Sequence, residues 1–165
     1  VNQDFVLELF FSLKGDLNKI NAVIDEKLKQ NQTRKITTFE TFIKSRVAVN
    51  PKVLRMANME ITADEAAYLS MYPALEELEV LDLRQNFLGD AGMEAVIKSP
   101  VFKQLRELDL RSNQITRLGL EMMAHTRNLE KLEKVDFRSN RLGKRWETKL
   151  KESEWYPALQ EVRTL

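Results

Sequence analysis

Between residues 78 and 142 the chain alternates apolar and polar positions in short bursts, and the bursts recur. Leu81-Asp82-Leu83-Arg84-Gln85-Asn86 is followed 27 residues later by Leu108-Asp109-Leu110-Arg111-Ser112-Asn113, and after 27 more by Val135-Asp136-Phe137-Arg138-Ser139-Asn140. One step back lands on Leu54 and Met56, and one step forward lands on Val162. Leu78, Leu105, Leu132 and Leu159 keep the same register, as do Leu88, Ile115 and Leu142 downstream, and Gly92 and Gly119 beyond them. Each burst has period two, which predicts a short strand with Leu81 and Leu83 turned inward and Asp82 and Arg84 turned outward. The segment after each burst has helical spacing: Leu88, Gly92 and Val96, then Ile115, Gly119 and Met123. Strand and helix alternating at a fixed step predict parallel strands about 4.8 Å apart under a covering layer of helices. The glycines are expected to let each helix lie close to the sheet.

Residues 1–50 lack this step. Phe5, Leu9, Phe10 and Leu13 predict a helix that Gly15 ends. Leu17, Ile20, Ile24 and Leu28 predict a second helix with Asp16 as its N-cap. The polar stretch 29–35 reads as a loop, and Phe39, Phe42, Ile43 and Val47 predict a third helix behind Thr37 or Thr38. A repeat cannot bury its apolar face alone, so a stack of repeats needs covered ends. The division expected is therefore a helical N-terminal cap at 1–50 and a solenoid at 51–165. Its repeats start near 51, 78, 105 and 132, with a partial one at 159. The alternative for 1–50 is an independent helical docking unit.

The shared pattern L-x-x-L-x-L-x-x-N-x-L-x-x-x-G-x-x-x-L resembles the leucine-rich repeat of the ribonuclease-inhibitor-like class, over roughly 51–165. The resemblance implies an α/β solenoid with a short parallel sheet on its concave face and helices on its convex face. It also implies a ladder of structural asparagines, Asn86, Asn113 and Asn140, and ligands held on the concave side. It does not say which ligand, because one fold hosts many tasks. The first repeat departs from the pattern, with Met59 at the ladder position, Met56 at an inner position and Glu65 at the glycine position. The last full repeat carries Trp146 at the glycine position, in a more polar helical segment. The strand at 162–165 has no helix after it. Such an edge implies either a fragment of a longer protein, in keeping with a first residue that is Val1 and not Met, or pairing with another strand. A monomer, or a weak dimer through that edge, is expected.

Outward positions form columns across the repeats. One holds Arg55, Asp82, Asp109, Asp136 and Arg163; the next Ala57, Arg84, Arg111 and Arg138; a third Asn58, Gln85, Ser112 and Ser139; a fourth Glu60, Phe87, Gln114 and Arg141. The aspartate and arginine columns read in two compatible ways. They form a lattice neutralised by cross-strand pairs, or the arginines offer their planar forks to a partner's carboxylates. Phe87 is either an apolar anchor or tucked under its loop. The candidate partner-binding set is Asp82, Arg84, Phe87, Asp109, Arg111, Gln114, Asp136, Arg138 and Arg141. Lys144, Arg145, Lys149 and Lys151 are interleaved with Glu147, Glu152 and Glu154 and read as a solvated helix face.

Charge and composition narrow the function. With 26 basic and 25 acidic residues the net charge is +1, so no global field recruits nucleic acid or an anionic membrane. No stretch has the roughly 20 apolar residues that span a bilayer. Cysteine is absent, which removes thiolate chemistry and points to a cytoplasmic setting. The single histidine, His125, with no cysteine, makes no zinc site of the usual kind and reads as structural. No nucleophile motif or phosphate-cradling loop appears, so neither a metal, a cofactor nor a catalytic set is expected. The reading is a non-enzymatic adaptor or scaffold that binds a protein through the concave sheet face. Alternatives are a regulator of a small GTPase, since some GTPase-activating proteins are built from similar repeats, and the recognition fragment of a larger effector or enzyme.

Overall fold

The computed structural model describes residues 7, 8 and 11–165, with the backbone alone for 25–37. The predicted first helix falls partly on 5, 6, 9 and 10, outside the described residues. Its end is seen: Lys14 and Gly15 both take left-handed backbone, with φ of 53° and 71°. Asp16 then caps the next helix, its carboxylate accepting from the Lys19 N–H at 3.3 Å. That hydrogen bond, opposed by slight burial and assisted by the Lys19 charge, holds the Asp16 carboxyl below the usual carboxylate range.

Helix α1, Leu17–Val49, is one continuous element of 33 residues. This corrects the loop expected at 29–35 and the separate third helix. The stretch is polar, but it is rich in Lys, Gln and Arg, which are good helix formers. No Gly or Pro occurs anywhere between Leu17 and Val49 to break the helix. Ile20, Ile24, Phe39 and Ile43 are buried in the common core. Phe39 meets Tyr68 of the first repeat edge-on at 6.2 Å, and Tyr68 stacks on Tyr72 at 5.8 Å. The C-terminal half of α1 thus lies over the first repeat.

The repeats follow as β1 (Val53–Arg55), α2 (Ala63–Leu69), a 3-10 turn (Pro73–Leu75), β2 (Val80–Asp82), α3 (Gly89–Ile97), β3 (Glu107–Asp109), α4 (Arg117–Ala124), β4 (Lys134–Asp136), α5 (Arg145–Lys151) and β5 (Glu161–Arg163). The strands form one parallel sheet in the order β1-β2-β3-β4-β5. Leu54 pairs with Leu81, Leu81 with Leu108, Leu108 with Val135 and Val135 with Val162, so the 27-residue step of the sequence is the register of the sheet. The ladder continues past the strands: Met56, Leu83, Leu110 and Phe137 each donate to a carbonyl of the next repeat at 2.7–2.9 Å. Behind the sheet the inner residues meet a second buried column, Leu75, Phe102, Leu129 and Tyr156, on the returning legs. Tyr156 shares its hydroxyl hydrogen between the carbonyls of Met123 (2.7 Å) and Thr126 (3.0 Å), tying the last repeat to the one before it.

The glycines serve a different contact from the one expected. A Cβ on Gly92 would sit 2.8 Å from the Leu88 Cβ and 3.3 Å from the Ala63 Cα in α2. One on Gly119 would sit 2.4 Å from an Asp90 carboxylate oxygen and 3.1 Å from the Met93 sulfur. The small residue makes room for the helix or helix entry of the preceding repeat, not for the sheet. This explains the first departure. The first repeat has no repeat helix before it, so Glu65 stands there freely and completes a capping box with Thr62. In the last full repeat Trp146 is buried, with the Lys149 ammonium 4.5 Å and the Arg145 guanidinium 5.6 Å from its ring centre. The end of β5 is held by the same helix: Thr164 donates its N–H and its hydroxyl to Glu147, both at 3.0 Å.

Candidate functional site

The open face of the sheet is built by residues that share a side of each strand. Positions two apart point the same way, so Asp82 and Arg84, Asp109 and Arg111, and Asp136 and Arg138 are neighbours along their own chains. In all three, the aspartate Oδ1 accepts the N–H of the arginine two residues on, at 3.1 Å. Arg111 then grips Asp109 with Nε at 3.0 Å and Nη2 at 2.6 Å. Arg138 grips Asp136 with Nε at 3.0 Å and Nη2 at 2.7 Å. Arg84 is looser, with Nε 3.6 Å from Asp82.

The neutralising pairs are therefore mainly within strands and not across them; the one cross-strand contact of this set joins Arg111 to Asp136 at 3.6 Å. Burial works to raise the Asp136 pKa, but the bonds from the Arg138 side chain and N–H and the Arg138 and Arg111 charges outweigh it and hold the carboxyl below its ordinary range. The Asp109 bond, against some burial and with help from Asp136 and Asp82, raises Arg111 further above neutrality.

Cross-strand pairing does occur one turn earlier. Lys52 meets Glu79 at 2.9 Å, Arg106 meets Glu133 at 3.1 Å and Lys134 meets Glu107 at 3.3 Å, each pair 27 residues apart. Sequence reading passed over these columns, although the same 27-residue step exposes them. They close the strand-entry side of the face with paired charge, and Lys52 holds the Glu79 carboxyl below its usual range, chiefly by hydrogen bonding.

The loops leaving the strands differ. Their backbone is fixed from below by asparagine side chains. Asn86 accepts from the Met59 and Ile61 N–H groups (2.9 and 3.1 Å) and donates to the carbonyls of Met56 and Leu83 (2.9 and 2.8 Å). Asn140 treats Asn113, Ile115, Leu110 and Phe137 the same way, at 2.8–3.1 Å. Asn113 donates to Leu83 and Arg111 at 2.8 and 3.1 Å. Each amide thus serves the loop of the repeat before its own.

Held this way, residues on either side of the ladder position adopt left-handed backbone: Asn58, Glu60, Gln85, Ser112, Gln114, Ser139 and Arg141 have φ between 52° and 61°. Such a conformation costs a non-glycine residue on the order of 1 kcal/mol or more, and in the first three loops the amide bonds beneath offset it. Phe87 departs from this conformation; its N–H bonds the Ile61 carbonyl at 2.8 Å, and the left-handed residues of its loop are Gln85 and Gly89. The ring is 53% exposed, so it is not tucked under the loop.

Gln85, Phe87, Ser112, Gln114, Ser139 and Arg141 line an open groove of about 580 Å³ with Asn86 and Asn140 at its floor. No acid lines it. The side chains of Gln85, Ser112, Gln114, Ser139 and Arg141 make no hydrogen bond or ion pair among the described residues. Of the nine residues expected at the site, Phe87, Gln114 and Arg141 meet in this groove. The three aspartates line a smaller cavity of about 220 Å³ over the strands, flanked by Glu107, Lys134 and Glu161.

His125 is exposed at the end of α4, its Nδ1 2.7 Å from the Glu121 carbonyl, which it can bond as a donor. Among the described residues no group of three His, Asp or Glu side chains is placed to hold a metal, and no helix is long and apolar enough to cross a membrane.

A short parallel sheet in 27-residue register, backed by one helix per step and locked by a buried amide at each loop, defines an α/β repeat solenoid. Residues 77–96 and 104–124 match the family model described as Leucine Rich repeat, so the chain carries leucine-rich repeats. No curated protein matches the chain significantly. Leucine-rich repeats generally serve as protein-interaction modules.

Proposed function

We propose that this chain is a protein-interaction module that docks a partner on the open sheet face, with the loop-side groove as the centre of contact. The observation that carries this reading is the division of labour on that face. Arg111 and Arg138 are spent on their own aspartates. Along the groove, by contrast, amides, hydroxyls, one guanidinium and one half-exposed ring stand without partners on a backbone that is already fixed. The side chains lose rotamer freedom on binding, but their donors, acceptors and ring are open to a partner and need break no internal bond to reach it. Arg84, less tightly held, is the strand arginine most able to join them.

The test is affinity capture from native lysate with three baits, each checked for folding by circular dichroism. They are the wild type, a rim variant (Phe87→Ala, Gln114→Ala, Arg141→Glu) and a strand variant (Arg84→Glu, Arg111→Glu, Arg138→Glu). The expected result is a partner retained by wild type and lost with the rim variant. A partner retained equally by all three baits overturns the reading.

A further inference from the structure

The loop strip has a polarity along the stack. Its outermost column runs Glu60, Phe87, Gln114, Arg141, one residue per repeat; the last three line the groove, and Glu60 stands outside its lining, one repeat before Phe87. All four are exposed. Neither Glu60 nor Arg141 has an ion-pair partner among the described residues, while Arg84, Arg111 and Arg138 nearer the sheet are paired with aspartates. Adjacent parallel strands lie about 4.8 Å apart, so three steps separate the free acid from the free base by about 14 Å. An extended peptide rises about 3.3 Å per residue, and four steps cover about 13 Å.

Resting on the binding reading above, we propose that the groove, together with the first-repeat loop beside it, takes an extended segment of the partner protein bearing a carboxylate and a basic side chain four residues apart, with an apolar residue between them. The carboxylate sits on Arg141, the apolar side chain against Phe87 and the base at Glu60. Positions one, three and five of an extended segment face the same way, so all three can reach the column. Gln85, Ser112, Gln114 and Ser139 supply donors and acceptors to the main chain between. A purely anionic ligand would meet Glu60, and a purely cationic one Arg141, so the strip selects an unlike pair of end charges. Specificity then comes partly from repulsion of the wrong charge pattern.

The experiment uses the whole chain, isotopically labelled, titrated to millimolar concentration with end-blocked five-residue peptides. Each has leucine at the centre, alanine on either side and, at its two ends, one acid and one base (in both orders), two acids or two bases. In the wild type the acid–base peptide in one order is expected to bind tightest, by about fivefold, and to shift the amides of 59–61, 86–88, 113–115 and 140–142. Arg141→Glu should move the preference to the two-base peptide, and Glu60→Lys should move it to the two-acid peptide. A variant that merely misfolded would lose binding without inverting it.

Equal binding of all peptides, strongest wild-type binding of the two-acid peptide, or no shift at the groove overturns the strip. Capture of the partner that survives the rim variant and fails with the strand variant also sinks the strip, and leaves the interaction module standing.

Discussion

Replacing Asn86 by alanine tests whether the buried amide, and not the leucine pattern alone, holds the loops. The side chain makes hydrogen bonds to five backbone groups. Two have a second partner that survives the change: the Leu83 carbonyl still accepts from Asn113, and the Arg84 carbonyl still accepts from the Asn58 N–H. The Ile61 N–H and the Met56 carbonyl, both buried at this contact, and the part-buried Met59 N–H are left with nothing. At about 1–2 kcal/mol for each buried group and less for the third, the loss is about 3–4 kcal/mol.

That is a large fraction of a small domain's stability. It falls on the loop of the first repeat, because Asn86 bonds backward. In a stack held by neighbour contacts such a loss uncouples one end. Urea unfolding followed by far-UV circular dichroism should therefore show a lower midpoint and a smaller m-value. Amide exchange at Met59 and Ile61 should rise before exchange in β3 and β4. The control is Gln85→Ala beside it, exposed and unbonded, for which a change within about 0.5 kcal/mol is expected. A loss under about 1 kcal/mol for Asn86→Ala, with exchange at Ile61 unchanged, would refute the argument.

Other outcomes follow from single contacts. Gly92→Ala gains about 1 kcal/mol of helix propensity but drives a methyl into Leu88 and the α2 backbone, so net destabilisation is expected by thermal melting. Gly119→Ala meets Ile115, Met93 and an Asp90 carboxylate that already accepts from Thr116, so its melting temperature should fall as well. Tyr156→Phe removes a hydroxyl whose buried setting pushes its pKa well above the ordinary value; about 1 kcal/mol should be lost in urea, since the Met123 carbonyl keeps the Thr126 N–H. Asp136 has a folded pKa below its unfolded one, so its contribution is present in full above the unfolded value and disappears as pH falls through the folded one. Acid unfolding of Asp136→Asn should accordingly show a weaker dependence on pH below about 4 than the wild type.

How far the residues alone reveal this protein depends on the range of the interaction involved. The register was legible because one 27-residue step fixes every strand pair, and Leu54, Leu81, Leu108, Val135 and Val162 are in fact the aligned centres. The same step would have disclosed the column Leu75, Phe102, Leu129 and Tyr156 and the pairs Lys52–Glu79 and Arg106–Glu133, had every position been compared. The aspartate and arginine columns do neutralise each other, but mainly along the strands and not across them as the sequence suggests, since two residues apart on a strand means the same face. Helix α1 runs through a polar stretch that suggests a loop, because polarity alone does not end a helix and the stretch holds no glycine or proline to break it. The role of Gly92 was not legible: its neighbour Ala63 belongs to another repeat, and no single repeat encodes the distance between helices. Nor was the exposure of Phe87, since an apolar residue in a loop can face the core or solvent.

The placement of the groove at the loops, and not over the strands, follows from the way charge is spent. In a parallel stack each strand position recurs about 4.8 Å away, so a column of like charges must be neutralised within the protein or the stack is strained. Asp109 and Asp136 meet that requirement with Arg111 and Arg138, and the bonds they make leave those groups few free donors for a partner. The loop positions carry different residues in each repeat, Glu60, Phe87, Gln114 and Arg141, so no like-charge column builds up and nothing forces them to pair. The backbone at Glu60 and Gln114 is fixed from beneath by Asn86 and Asn140, so a change of side chain there should leave the stack intact. A repeat solenoid with uniform strands and divergent loop tips separates what holds it together from what it can recognise, and the recognition chemistry is expected where the repeats differ.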